Sequence, residues 1–270
     1  MSRRIDIPDK LDIKKFDISS IDFDSTIMLL AKRRGGKSFM IRDIMYHHRH
    51  IPKGIVISGT EKCSPFFRNF IPDLYISYEY NSKILEDLFR NQTSIINRDG
   101  ERNASNNVFV ILDDIMSDSS SWKSDRQIRE LYFNGRHYNC LNLLSSQDIM
   151  GLPPALRGNI DYVFIFRNNI RNEQEKIWKN YAGIIPTFRM FQDIMAQITE
   201  DHTCLVINNN TSSNKLEDMV FFYKACPDHG NFRVGSRSYW SLHDKRYKDE
   251  LNESPTNEYT HRKTRIVIKE

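Results

Sequence analysis

The chain has 270 residues, 39 Lys and Arg against 35 Asp and Glu, and a formal net charge of +4. At about 150 residues per domain this is one large domain or one domain with an appendage. A composition of 39% hydrophobic and 27% charged residues is far from that of a disordered chain. The longest apolar runs, 108–112 and 162–166, fall well short of the ~20 residues that span a bilayer. The first residues, MSRRIDIPDKLDIKKF, lack the apolar centre of a secretory signal, so the protein is expected to remain inside the cell. The small basic excess permits a nucleic-acid partner without requiring one.

Short apolar, β-rich runs recur along the chain: STIMLL (25–30), GIVISG (54–59), LYISY (74–78), VFVILD (108–113), CLNLLSS (140–146), DYVFIF (161–166) and CLVINN (204–209). Longer polar or amphipathic segments separate them. This alternation predicts an α/β protein with a mostly parallel sheet, buried on both faces by helical crossovers. The run MVFFYKA (219–225) follows CLVINN across the turn-rich NTSSNK and predicts a terminal β-hairpin on an edge of the sheet. The polar stretch 97–107 reads as an exposed loop. The expected organisation is an N-terminal extension (1–21), a principal domain (22–225) and a C-terminal appendage with a basic tail (226–270).

After the first buried strand comes AKRRGGKS, and Met40, Ile41, Ile44 and Met45 then repeat with helical spacing. Strand, loop ending in Gly-Lys-Ser, then helix is the context of a phosphate-binding P-loop. Such a loop must bring backbone N–H groups around a phosphate and aim a helix N-terminus at the anion. Ala31, Lys32, Arg33, Arg34, Gly35, Gly36, Lys37, Ser38 and Phe39 are the expected nucleotide-binding residues. Lys37 would reach the β- and γ-phosphates, and Ser38 would ligate Mg²⁺. Ala31 stands where G-x-x-x-x-G-K-[ST] has its first glycine, and the loop forms only if this residue avoids positive φ. Arg33 and Arg34 would either add charge over the phosphates or project to solvent.

The strand VFVILDD ends in Asp113-Asp114, the pattern of a Walker B acid pair. Two carboxylates at the end of a buried strand must face solvent or a cation. Asp113 is expected to hold Mg²⁺ with Ser38, and Asp114 to activate the attacking water. The next strand, CLNLLSSQD, ends near Gln147, at the carboxyl edge where open α/β sheets bind ligands. Its amide would hydrogen-bond the γ-phosphate or the lytic water. Arg136 in GRHYN and Arg157 in LPPALRGN are each placed within loop reach of that edge, as arginine fingers for a neighbouring subunit or as surface residues.

Together AKRRGGKS, VFVILDD, GRHYN and LLSSQD resemble the genome-packaging ATPases of nucleocytoplasmic large DNA viruses, the poxvirus-type branch of the FtsK/HerA translocases. The similarity covers roughly residues 22–225. It implies an additional-strand, RecA/FtsK-like P-loop fold and ATP hydrolysis with Mg²⁺. It also implies a pentameric or hexameric ring of identical subunits that drives double-stranded DNA into a preformed capsid. The implied partners are that DNA, further copies of the chain, and capsid or inner-membrane viral proteins. The implied place of action is the virus factory in the infected-cell cytoplasm, and the virion. Carried over residue by residue, Lys37 and Ser38 match Walker A, Asp113 and Asp114 match Walker B, and Gln147 matches the sensor. A helicase or recombination ATPase would share every one of these residues, and a slow nucleotide-dependent switch or scaffold protein is the alternative from another class.

Residues outside this constellation carry weaker signals. Cys63, Cys140, Cys204 and Cys226 show no C-x-x-C pairing and are expected as reduced core residues. Cys226 and His229 in CPDHG have a spacing a metal could use, but no second pair accompanies them. His47, His48 and His50 read as helix-end cations. Tyr239, Trp240 and Tyr247 interleave with basic residues near the C-terminus, and His261, Arg262, Lys263 and Arg265 form a basic tail. This is a pattern compatible with nucleic-acid contact or with a solvated tail.

Overall fold

The structure, a computed structural model, describes residues 11–100, 103–115 and 122–253. The apolar runs become β2 (Thr26–Leu30), β3 (Lys53–Ser58), β5 (Val108–Asp113), β6 (Cys140–Ser146), β7 (Tyr162–Ile165) and β8 (Thr203–Asn208), joined by β1 (Lys14–Lys15), β4 (Ile76–Ser77) and β9 (Val220–Lys224). The helices are α1 (Lys37–His47), α2 (Ser82–Asp99), α3 (Arg126–Asn134), α4 (Pro154–Arg157), α5 (Arg171–Tyr181), α6 (Phe188–Ile198) and α7 (Arg237–Glu253). Among the described residues these strands form one sheet in the order β1-β9-β8-β7-β2-β6-β5-β3-β4. It is parallel except where β8 pairs antiparallel with β7 and with β9.

Continuous apolar runs, rather than alternating ones, arise because both faces of the sheet are covered. Ile27 and Leu29 of β2 point to one face with Ile111 and Leu143, under Met40, Ile41 and Ile44 of α1. Met28 and Leu30 point to the other with Leu112 and Leu144, against Leu85, Ile128, Leu131 and Phe191 of α2, α3 and α6. Every residue of β2, β5, β6 and β7 is buried.

The order of the strands creates the site. From β2 the chain passes over β6 and β5 to β3, and only later does β7 return to the other side of β2. The connections therefore part in opposite directions above the carboxyl end of β2, the kind of switch point where α/β sheets bind ligands. The ends are level: Leu30 pairs with both Ser146 and Ile165, and Asp113 pairs with Ser58 and Ser145.

Several local expectations are revised. LYISY is strand only at Ile76–Ser77, because a one-turn 3-10 segment, Asp73–Tyr75, precedes it at the sheet's edge. Helix α2 runs to Asp99 and stops at Gly100, whose φ of 86° suits glycine, so the loop is shorter than 97–107. The β8–β9 hairpin forms, but β1 pairs outside β9 and covers its edge, and Phe16, Ile18 and Ile21 are buried in the same core. Cys140 and Cys204 are buried, whereas Cys63 and Cys226 are exposed. His48 is buried, with its ring nitrogens 2.9 and 2.8 Å from the carbonyl oxygens of Ile44 and Ile21. Residues beyond 225 do not all hang free, since Tyr239 is buried and donates to the Gly54 carbonyl at 2.7 Å, while Trp240 donates to Val234 O at 2.8 Å. The basic tail lies outside the described residues.

Gly54 shows how tightly the centre is filled. It pairs across the sheet with Phe109, and a Cβ added to it would overlap that ring. Overpacking of this kind costs about 1–3 kcal/mol, so Gly54→Ala should lower the urea unfolding midpoint by a corresponding amount, measured by circular dichroism.

Candidate active site

The phosphate loop leaves the sheet at Ala31, whose N–H donates to Ser146 O at 3.2 Å. The chain turns through Gly35, which donates to Lys32 O at 3.1 Å, with Arg34 and Gly36 at φ 61° and 102°. Among the described non-glycine residues the positive-φ positions are Arg34, Asp114, Asn139, Asp201 and His202, so Ala31 has ordinary L-residue backbone. Room for its methyl comes from Gly35, where an added Cβ would stand 2.9 Å from both Ala31 Cβ and Lys32 O. The motif has moved its steric requirement from position 31 to position 35.

Helix α1 starts at once with Lys37. Asn81, Asp125 and Thr187 cap α2, α3 and α6 through their side chains, but the N-cap of α1 is Gly36, which has none to offer. Its first-turn N–H groups have no intrahelical partners and no side-chain cap, which suits an anion. Lys32 turns aside to Glu173 at 3.0 Å, while Arg33 and Arg34 are exposed at the rim of the cleft.

Beneath the loop lies the acid pair. Asp113 is buried and accepts hydrogen bonds from Ser58 Oγ at 3.0 Å and from Ser145 Oγ. Burial raises its pKa above the usual carboxylate range, and the neighbouring Asp114 adds to the rise against the opposing effect of Ser145. Asp114 follows at φ 48°, a left-handed conformation that costs about 1–2 kcal/mol for a non-glycine residue. This backbone turn directs its carboxylate to Lys37 Nζ, 2.9 and 3.2 Å away, and to Gln147 Nε2 at 2.9 Å. Lys37 is itself buried. The loop lysine, both acids and the strand-end glutamine therefore meet at one point, on a cleft of about 1310 Å³ that Ser38 and Phe39 also line.

The two arginines lie elsewhere. Arg136 follows α3, which has already carried the chain back across the sheet, so it stands at the amino edge and pairs with Asp161, itself a 2.7 Å acceptor for Thr26 N at the start of β2. A residue after a crossover helix enters the next parallel strand from its amino end, which is why loop reach in sequence did not mean reach in space. Arg157 donates to Leu152 O at 2.9 Å and to Asn180, and lies over the Tyr181 ring at 5.6 Å. Neither lines the cleft.

Four features of the site escaped the sequence reading. Ser58 and Ser145, which hold Asp113, are the last residue of β3 and the last but one of β6, on either side of β5, and aligning the strand ends would have shown them. Glu61 is a further buried acid at the cleft, but its oxygens already accept from the N–H groups of Phe66, Phe67 and Arg68 at 2.7, 3.0 and 3.1 Å. The turn Asp201–His202, which no motif marks, and the segment around Pro227, within the CPDHG read only for its metal-like spacing, line the opposite arm of the cleft.

The strand order and the phosphate loop are those of the P-loop NTPase fold of the additional-strand type, with a mostly parallel sheet. The solved structure of the genome-packaging NTPase B204 from Sulfolobus turreted icosahedral virus 2 in complex with AMPPCP covers 76% of this chain and 100% of its own, with a TM-score of 0.53 and 16% identity. The EssC ATPases 2 and 3 from Geobacillus thermodenitrificans cover 86% of this chain and 45% of their own, with a TM-score of 0.52 and 12% identity. At these identities the likeness is one of fold. No protein-family model matches the chain. Sequence relatives do: uncharacterized protein L437 of Acanthamoeba polyphaga mimivirus is 35% identical over 246 residues, 89% of this chain and 86% of that protein. Uncharacterized protein 088R of Invertebrate iridescent virus 3 is 40% identical over 202 residues, 74% and 76% of the two chains. The chain belongs to this family of mimivirus and iridescent-virus proteins, and viral genome-packaging NTPases are among its structural neighbours.

Two outcomes follow for the site. Ala31→Gly should leave nucleotide binding within about twofold, whereas Gly35→Ala, which collides with backbone, should weaken it by tenfold or more, read by titration calorimetry (about 1.4 kcal/mol). Because burial disfavours the charged form of Asp113, Asp113→Asn should raise the melting temperature in Mg²⁺-free buffer, by about 1 kcal/mol in equivalent stability.

Proposed function

We propose that the protein is a Mg²⁺-dependent ATPase that drives double-stranded viral DNA into a preformed capsid, as a ring of identical subunits. The observation that carries the chemistry is the junction of Lys37, Asp114 and Gln147 at the uncapped start of α1, directly above the buried Asp113. Phosphoryl transfer asks the protein chiefly for positioning and charge stabilisation. Backbone N–H groups of residues 32–39 and the Lys37 ammonium meet both needs on the phosphate side. Asp114 accepts the proton of the attacking water, and Gln147, which already donates to Asp114, holds that water in line.

Mg²⁺ fits the donor set. Asp113 and Ser38 offer hard oxygen ligands, and among the described residues no three His, Cys, Asp or Glu side chains cluster as an all-protein metal cage. A cation held here would complete its coordination on substrate oxygens, as Mg²⁺ commonly does. When bound, it supplies charge neutralisation of the phosphates.

The movement of DNA is supported by kinship. The relatives belong to large DNA viruses, and B204, a structural neighbour in complexes with AMPPCP and ATP-gammaS, is a viral genome-packaging NTPase. The proposed motor domain is 22–225, against which residues 14–21 and 234–240 pack. Arg136, exposed at the amino edge, is the arginine this reading offers to a neighbouring subunit, whereas Arg157 has its guanidinium committed within its own chain. Among the described residues no helix is long and apolar enough to cross a membrane. The reading places the protein in the cytoplasmic virus factory and the assembling virion, with capsid or inner-membrane viral proteins as partners.

The test is steady-state ATP hydrolysis with and without linear duplex DNA across protein concentrations. Stimulation by duplex without strand separation, rising steeply with protein concentration, is expected; strand separation would point to a helicase, and indifference to DNA to a switch. Lys37→Ala should weaken ATP binding. Asp114→Asn should bind ATP nearly as the parent does and lose about 10²- to 10⁴-fold in turnover, the range of general acid–base catalysis. Parental turnover in Asp114→Asn would remove the general-base assignment.

A further inference from the structure

The cleft extends in two directions from the phosphate loop, and the acid pair distinguishes them. Asp113, Asp114 and Gln147 stand at the ends of β5 and β6. If the loop holds a triphosphate as proposed above, its terminal phosphate faces those strands, and the remainder of the molecule leaves on the other side, over β7, β8 and β9.

The ground on that side is built from two pieces. Because β8 runs antiparallel to β7, its first residues reach the carboxyl edge: Thr203 pairs with Lys224 two residues beyond Leu205, whose partner Ile165 is level with Leu30. The turn before it holds Asp201 and His202 in left-handed backbone, φ 48° and 60°, with Asp201 tied to Lys224 by an ion pair. His202 Nδ1 lies 3.7 Å from where a Cβ on Gly36 would stand, so the imidazole flanks the last glycine of the phosphate loop.

The second piece is the segment after β9, which folds back onto α1. Asp43, wholly buried in α1, accepts hydrogen bonds from Tyr223 Oη at 2.8 Å, Cys226 N at 2.9 Å and His229 Nε2 at 2.6 Å. Arg42 donates to Pro227 O at 3.2 Å and to Gly230 O at 2.6 Å, and Tyr46 stacks on His229 with centroids 3.9 Å apart. These anchors belong to the helix whose first turn is the phosphate loop. Ala225 and Pro227 are thereby fixed as a wall of the same cleft.

We infer that the Asp201–His202 turn and the clasped segment 224–229 form the pocket for the base and ribose of the bound nucleoside triphosphate. His202 and Pro227, both lining the cleft, supply the ring surfaces against which the base would lie. Asp43 is a positioning residue that sets the wall's distance from the phosphate loop. The inference rests on reading the loop as a triphosphate site and adds the side on which the nucleoside lies. The other arm, with Phe66 and Tyr78 over β3 and β4, lies beyond the acid pair and is left free of it.

The test is calorimetric titration of the full chain, with Mg²⁺, by ATP and by inorganic tripolyphosphate, which has the phosphates without the nucleoside. His202→Gly removes the ring and suits the left-handed backbone. It should lose about tenfold in ATP affinity, in the range of a lost base-stacking contact, with tripolyphosphate binding unchanged. Asp43→Asn should likewise lower the ratio of ATP to tripolyphosphate affinity, whereas a merely structural role would weaken both ligands together. Tyr78→Ala should change neither. Equal loss of both ligands in His202→Gly, or loss of ATP affinity in Tyr78→Ala with none in His202→Gly, would overturn the assignment. A parent chain that binds neither ligand would overturn the triphosphate reading itself, and this inference with it.

Discussion

A carboxylate buried at the end of a central strand is the constraint around which the rest of this protein is arranged. Asp113 is held by hydroxyls from both neighbouring strands, and those bonds exist only because the register sets Ser58, Asp113 and Ser145 on one rung at the carboxyl edge. Leaving such a group unpaired costs about 1–3 kcal/mol or more, so a register slip on either side is disfavoured. The same alignment puts Asp114 one residue past the rung, where its left-handed turn directs it across the edge.

Charge at the edge is deliberately incomplete. Two carboxylates meet one ammonium, that of Lys37, and the closer pairing goes to Asp114. Asp113 keeps hydroxyl partners and a pKa raised by burial. Under the proposed function this balance is completed by a ligand that brings its own cation, a metal-bound triphosphate. Opposite the acids, an uncapped helix and a glycine-lined loop supply the positive face. The site is thus polarised along the sheet edge.

Helix α1 links this edge to the rest of the fold. Its apolar stripe packs on the sheet beside β2, its first turn closes the phosphate loop, and Arg42, Asp43 and Tyr46 hold the segment after β9. Burial and the contact with Asp43 also keep the Tyr223 phenol protonated well above its usual range, so the clasp enters the core as a neutral donor to an acid. One rigid element therefore sets the distance between the phosphate loop and the far wall of the cleft.

Much of this was legible in the sequence because it depends on local order. Buried strands announced themselves as unbroken apolar runs, AKRRGGKS lay between strand and helix, and VFVILDD carried its acids at the strand end; chemistry fixed by neighbours along the chain can be read along the chain. The acceptability of Ala31 could be posed there as a condition on φ, but only the folded loop showed that Gly35 meets it. Tertiary structure alone decided what depends on residues far apart. It placed Arg136 at the amino edge, away from the cleft of its own chain, because a crossover helix reverses the chain before that residue is reached. It made Ser58 and Ser145 partners of Asp113 through lateral register, and it turned CPDHG from a doubtful metal motif into a clasp, because Asp43 waits for it 186 positions before His229. Sequence determined which groups are available for the proposed chemistry, and strand order and register determined which of them meet, since hydrogen bonds and ion pairs act over a few ångströms of space whatever the distance along the chain.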